Sequence, residues 1–252
     1  MKGLMQNRQL LTSTLIEHAE CNHGDTEVIS RGRDRSITRL NYSQIAARSR
    51  QLANALKRLG LGSGDRVGTL AWNTHRHLEL YYGVSGSGLI NHTVNPRLFL
   101  EQIIYIVRHA EDRVVFFDLT FVDLVEKLAL QCPSVEHWIA LCRQDEIPSI
   151  PGIQSVLSYE DLLAAEAEDF AWPEFDENTA SSLCYTSGST GDPKGVLYSH
   201  RSTVLHSYAA CMRDTFGIWA NDVVLPASSM YHANAWGVPY AATLAGAKLV
   251  LP

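Results

Sequence analysis

The 252-residue chain has no long uninterrupted apolar run. Its softest stretch, Leu80 to Val94, is broken by Ser85, Ser87, Asn91 and His92. A membrane-spanning helix needs about 20 consecutive apolar residues, so no transmembrane segment is expected. Near the start, Gln6, Asn7, Arg8 and Gln9 interrupt any apolar core, and no secretory leader is expected. Excess positive charge is also missing. Lys and Arg total 21 against 27 Asp and Glu, giving a net charge of −6, which argues against general attraction to nucleic acid or anionic lipid. A site for a polyanion must therefore build its own local field. Cysteine is sparse: Cys21, Cys132, Cys142, Cys184 and Cys211 are odd in number and widely spaced, with no C-x-x-C pair. That pattern suggests neither a zinc site nor a disulfide framework, and predicts reduced thiols in a cytoplasmic protein. Cys184 is read as a packing residue of a strand.

Hydrophobic residues make up 46% of the sequence, enough for a sizeable core. Helices are predicted over 12–21, 42–59 (capped by Asn41), 75–84, 98–109, 119–130, 201–216 and 233–244, with a short one near 159–165. Strands are predicted over 27–30, 36–40, 66–72, 89–94, 114–117, 137–141, 183–186, 195–199, 222–225 and 247–251. Strands alternating with helices of this length predict an α/β fold of mostly parallel, doubly wound sheets with helices on both faces. The pattern weakens over 144–173. The organisation expected is an α/β subdomain over 1–180, followed by a loop region and the start of a second α/β subdomain over 181–252.

The densest local signal is Tyr185-Thr-Ser-Gly-Ser-Thr-Gly-Asp-Pro-Lys-Gly195. The ten residues after Tyr185 hold four hydroxyl side chains (Thr186, Ser187, Ser189, Thr190), the glycines Gly188, Gly191 and Gly195, and Lys194. Glycines let backbone N–H groups approach a ligand and form a concave anion nest. Hydroxyls add donors and metal ligands, and a lysine adds a mobile charge. A Walker A loop is excluded. Pro193, before the lysine, has no N–H to offer a phosphate, and Gly195 after it has no hydroxyl for a metal.

The segment resembles the signature Y-T-S-G-[S/T]-T-G-x-P-K-G of the adenylate-forming superfamily: acyl- and aryl-CoA synthetases, peptide-synthetase adenylation domains and luciferases. It fits at every fixed position. A second segment, Ser229 to Lys248, carries the aromatic-His pair Tyr231-His232 followed by Asn234-Ala-Trp236-Gly. It is similar to medium- and long-chain fatty acyl-CoA synthetases in particular. The resemblance implies ATP and Mg²⁺ as cofactors, CoA as co-substrate and a fatty or other carboxylic acid as substrate, and it allows a homodimer.

By that resemblance Thr186, Ser187, Gly188, Ser189, Thr190, Gly191 and Lys194 bind the nucleotide phosphates, with Thr186 as Mg²⁺ ligand. His232 and Lys194 are the catalytic candidates. His232 lies near the α-phosphate and the acyl carboxylate, Ala233 and Trp236 line the junction of nucleotide and acyl sites, and Trp236 gates the acyl site. His200 and Arg201 are neighbours of the site or simply begin a helix. No metal site is expected at His75 and His77.

The resemblance covers the N-terminal half of a typical family member. The later motif with a metal-binding glutamate, the ribose aspartate and the catalytic lysine of a mobile C-terminal domain have no equivalent before Pro252. The chain is therefore expected to be a truncated ligase that is inactive alone. Two alternatives stay open: an aryl-acid or other carboxylate-adenylating ligase, and a non-catalytic nucleotide-binding fragment.

Overall fold

A computed structural model of the chain describes residues 1, 3–186 and 192–252. In chain order the elements are α1 (Ser13–His23), β1 (Glu27–Arg31), β2 (Ile37–Asn41), α2 (Tyr42–Arg58), β3 (Arg66–Leu70), α3 (His75–Gly86), β4 (Ile90–Thr93), α4 (Leu100–Ala110) and β5 (Val114–Phe117). They continue with α5 (Val122–Ala129), β6 (His137–Ala140), β7 (Val156–Ser158), α6 (Tyr159–Ala164), β8 (Ala180–Thr186), β9 (Lys194–Ser199), α7 (His200–Cys211), β10 (Val223–Val224), α8 (Val238–Ala245) and β11 (Lys248–Leu251).

Among the described residues these strands form two sheets. The larger has the order β7-β6-β5-β3-β4-β8-β9, parallel throughout except for β9, which returns antiparallel to β8. The smaller has the order β10-β11-β1-β2, parallel except for the β1–β2 hairpin. The predicted α/β class and parallel sheets are what the molecule shows.

Alternation within the strands explains the layering. In β5, Val114 and Phe116 pack with residues of α2, α3 and α6, while Val115 and Phe117 pack with α4 and α5. All four are fully buried, as strands covered by helices on both faces must be. A separate core joins α1, α2, α3, α7 and α8 to the smaller sheet through Leu15, Tyr42, Ile45, Tyr81, Tyr240 and Leu249. Tyr42 reaches across the chain and donates its hydroxyl to Ala247 O at 2.8 Å.

Asn41 caps α2 as predicted. Its Oδ1 accepts from Gln44 N–H at 2.9 Å, and Gln44 Oε1 accepts from Asn41 N–H at 3.0 Å, forming a capping box. Three expectations are corrected. The helix expected over 119–130 begins with a 3₁₀ turn and becomes α-helical only at Val122. β7 lies in a segment read as irregular; three residues are too few to show a period. The helix expected from Ala233 begins at Val238, because the preceding residues turn the other way, as described next.

Candidate functional site

β8 runs between β4 and β9 and ends in the signature segment. Thr186 pairs with Lys194 across the hairpin, and both side chains are exposed. Among the described residues, Thr186 Oγ1 makes a long contact, 3.5 Å, to Lys194 O. Ser187, Gly188, Ser189, Thr190 and Gly191 lie outside the described residues. Tyr185, just before the loop, is held by α4 and β4. Its hydroxyl hydrogen-bonds to His109 Nδ1 at 2.6 Å, and its ring lies 5.2 Å from that of His92. His92 Nδ1 in turn lies 2.8 Å from Asp112 Oδ2, and both residues are fully buried. Burial pushes the Asp112 carboxyl above its ordinary range.

Cys184 is a packing residue, as its place in the strand predicts. It is 7% exposed, its Sγ lies 3.2 Å from Thr93 Oγ1, and burial raises its pKa, which disfavours the thiolate a nucleophile needs. His200 and Arg201 also have structural contacts. His200 Nδ1 accepts from Thr12 N–H at 3.1 Å, and Arg201 pairs with Glu177. Ser199 caps α7 by accepting from Ser202 N–H at 3.0 Å. No metal-binding cluster of His, Cys, Asp and Glu occurs among the described residues.

The second motif adopts a left-handed turn. Ala233, Asn234, Ala235, Trp236 and Gly237 have φ of 43°, 49°, 51°, 58° and 69°. Each L-residue other than glycine costs roughly 1–2 kcal/mol in this conformation, so the turn needs compensation. Asn234 supplies much of it. Its side chain is 7% exposed, its Nδ2 donates to Ser182 Oγ at 2.7 Å, and its Oδ1 accepts from the Cys184 thiol at 3.4 Å. Ala235 is fully buried beside it. The turn is thereby bonded to β8, the strand that feeds the signature loop. Asn234 was missed as a site residue: the sequence shows only that it brings no charge.

The turn leaves His232 exposed and Trp236 66% exposed, so Trp236 is not a core filler. A pocket of about 450 Å³ opens beside Trp236, lined by Tyr198, Thr203, His206, Ala233, Trp236 and Tyr240 among others; His232 is not part of its lining. The structure thus brings Ala233 and Trp236 together on one cavity wall. A roomier cleft, about 670 Å³, lies beyond the C-terminal ends of β3 and β5 and holds none of the motif residues. Its arginines (Arg31, Arg33, Arg35, Arg76) face the acids Asp34, Asp118 and Glu146, so little net charge remains to attract an anion. Ala233, Asn234, Trp236 and Gly237 of the second motif, with the tie to β8, therefore select the smaller pocket, whose lining does not include Thr186, Lys194 or His232.

The sequence profile of the AMP-binding enzyme family matches residues 15–252. The chain is 53% identical, over its whole length, to a 3-methylmercaptopropionyl-CoA ligase of Ruegeria lacuscaerulensis and covers 47% of that protein. It is 48% identical to a medium-chain-fatty-acid–CoA ligase of Ectopseudomonas oleovorans, covering 46% of it. It is 43% identical to a long-chain-fatty-acid–CoA ligase of Thermus thermophilus, with 98% of the chain aligned to 44% of that protein. The chain spans about half the length of the curated relatives it matches. Among solved structures, an anthranilate CoA ligase in complex with anthranoyl-AMP superposes with a TM-score of 0.86 over the whole chain and 46% of that protein, at 22% identity. That likeness shows the shared fold.

Proposed function

The chain belongs to the AMP-binding enzyme family, and on that premise we propose that it supplies the phosphate-loop half of an AMP-forming acid–CoA ligase. The reaction has two halves. A carboxylate attacks the α-phosphorus of ATP, the bond to the β-phosphate bridging oxygen breaks, and acyl-AMP and pyrophosphate result. The thiol of CoA then attacks the acyl carbon, the thiol proton passes to solvent or a base, and AMP leaves.

The physical obstacle to the first half is charge, since an anion must approach a triphosphate. Residues 186–194 supply hydroxyl and backbone donors, and Lys194 supplies a cation for the phosphates. Thr186 would be the protein ligand for Mg²⁺. The exposed hydroxyl fits that role, because Mg²⁺ takes few protein oxygens and keeps waters and phosphates as its other ligands. When bound, the ion neutralises phosphate charge and draws electrons from the reacting phosphorus. His232 donates to the oxygens where the carboxylate and α-phosphate meet. Trp236 and Ala233 wall the acyl pocket.

The acid is apolar and flexible: a medium-chain fatty acid, or a short thioether acid of the kind named for the Ruegeria enzyme. An aromatic wall of Tyr198, Trp236 and Tyr240 suits both methylenes and a thioether sulfur. We place the enzyme in the cytoplasm, and a homodimer forms part of the proposal without an assigned interface. Among the described residues no helix is long and apolar enough to cross a membrane.

The observation carrying the reading is the tie between the two motifs, Asn234 bonded to Ser182 on the strand that enters the signature loop. The test is acid-dependent ATP–pyrophosphate exchange, with straight-chain acids from short to long and with 3-(methylthio)propionate. It is run on this chain and on a form extended to the relatives' length. The chain alone is expected to be inactive in thioester formation. Absence of acid-dependent exchange in the folded extended form would overturn the proposal.

A further inference from the structure

The segment that delivers Tyr231 and His232 has almost no sheet to hold it. β10 is two residues long and ends at Val224. Between that strand and Tyr231 the backbone is fastened by side chains from the β3–α3 connection. Asn73 lies in that connection, 8% exposed, beside Thr74, the cap of α3. Its carboxamide reaches backbone 153 to 157 residues later in the chain. Nδ2 donates to Ser228 O at 2.9 Å and to Pro226 O at 3.3 Å, and Oδ1 accepts from Met230 N–H at 2.7 Å. Tyr81 on α3 donates its hydroxyl to Met230 O at 2.5 Å. Met230 is thus gripped through both its N–H and its C=O, immediately before the aromatic-His pair. Tyr231, 3% exposed, packs edge-on to Trp72, with ring centroids 6.0 Å apart.

We infer that Asn73 is a positioning residue for the nucleotide–acyl junction: its carboxamide fixes where Tyr231 and His232 stand relative to the larger sheet. This rests on the reading given under Proposed function. The side-chain chemistry is demanding. A donor must serve two carbonyls while an acceptor serves one N–H, which a carboxamide does and a carboxylate does not. Alanine would leave these backbone groups unpaired in a buried place. Together with Asn234, Asn73 brackets the stretch 230–234, one end anchored to the β3–α3 connection and the other to β8.

The test is amide hydrogen exchange on the chain, expressed as protection factors, for Asn73→Ala and Asn73→Asp. Asn73→Ala is expected to lower protection of 226–232 by about tenfold or more, with β3, β4 and β8 unchanged. Asn73→Asp is expected to do the same when ionised and to regain part of the protection as acidification protonates the carboxyl, because the acid form offers an acceptor for Met230 N–H and one O–H donor for one of the two carbonyls. Unchanged protection over 226–232, or an equal loss along the whole chain, would overturn the inference. In an enzyme active in pyrophosphate exchange, Asn73→Ala is expected to lower kcat about tenfold with KM for ATP within about twofold, since the side-chain bonds of Asn73 go to 226–230 and not to the signature segment. A KM for ATP rising in step with the loss would also count against it. A wild type without exchange activity would sink the ligase reading, while the protection factors would still decide the placement of 226–232.

Discussion

Asn234 and Ser182 share a 2.7 Å hydrogen bond that joins a left-handed turn to the strand entering the signature loop. Asparagine is suited to both tasks, because it tolerates positive φ better than most residues and brings a carboxamide. Asn234→Ala removes the bond and puts a Cβ-bearing residue with no compensating side chain at φ 49°. A loss of about 2–3 kcal/mol is expected from urea unfolding. Asn234→Gly also removes the bond but relieves the backbone, so it should be milder by about 1 kcal/mol. Equal losses for the two variants would show that the turn is not strained.

Gly237 closes the same turn at φ 69°, and a Cβ there would lie 2.7 Å from His206 Nδ1. Gly237→Ala is expected to cost about 1–3 kcal/mol, combining backbone strain with the clash. His206→Ala should recover the clash part only, so a double-mutant cycle will show coupling between the two sites. Additive losses would mean that His206 swings clear without cost.

Thr186 and Lys194 are exposed, so their replacement separates chemistry from stability. In an active enzyme, Thr186→Ala and Lys194→Ala should each lower pyrophosphate exchange about 10²–10³-fold, as loss of a charge-stabilising group does. Unfolding free energy should change by less than about 0.5 kcal/mol. Activity near wild type in both variants would remove these residues from the phosphate site.

Trp236, 66% exposed on the wall of the 450 Å³ pocket, should set the preference for acyl length. Each buried methylene contributes about 0.8 kcal/mol, so a wall that stops the chain early sharpens selection. Trp236→Ala is expected to flatten the chain-length profile or raise KM for the preferred acid. An unchanged profile would place the acyl chain elsewhere.

Acidification should weaken the fold. Burial holds the His77 and His200 imidazoles down at about 4, against an ordinary 6.5. Between those values the unfolded chain binds more protons, so stability present above pH 6.5 is lost as the pH falls toward 4. Asp118 opposes this. Burial pushes its carboxyl up from 3.8 to about 6, a contribution present at low pH and lost as the pH rises through 6. Asp112, also raised by burial, acts with Asp118, and His75 and His18, also lowered by burial, act with His77 and His200; four histidines against two carboxyls leave a net loss on acidification. The urea midpoint should therefore fall from pH 6.5 to 4, more steeply in Asp118→Asn and less steeply in His77→Gln. A flat midpoint over that range would contradict the burial of these rings.

The α/β order was legible because strand and helix periods alternate cleanly, and the cap at Asn41 because capping is local. The left-handed turn was not. Ala-Asn-Ala-Trp has the composition of a helix start, and only tertiary bonds from Asn234 hold it the other way. One local signal pointed to the true boundary: Gly237 followed by Val238-Pro239, with proline in the first helical turn. Asn73 gave no signal at all, since its partners lie more than 150 residues away. The phosphate motif was readable because its chemistry is contiguous, whereas the pocket walled by Trp236 is assembled from β9, α7, the turn and α8 and has no contiguous pattern.

The parallel pairing of Val28 with Leu249 has a consequence for synthesis. A ribosome adding about 5–20 residues per second makes some 220 residues between these partners, which takes tens of seconds. During that time the β1–β2 hairpin exposes the β1 edge that β11 will later cover, the kind of edge that recruits foreign strands. The smaller sheet is thus begun among the first segments made and completed only by β11, so the nascent chain carries an unfinished sheet for most of the time needed to translate these residues.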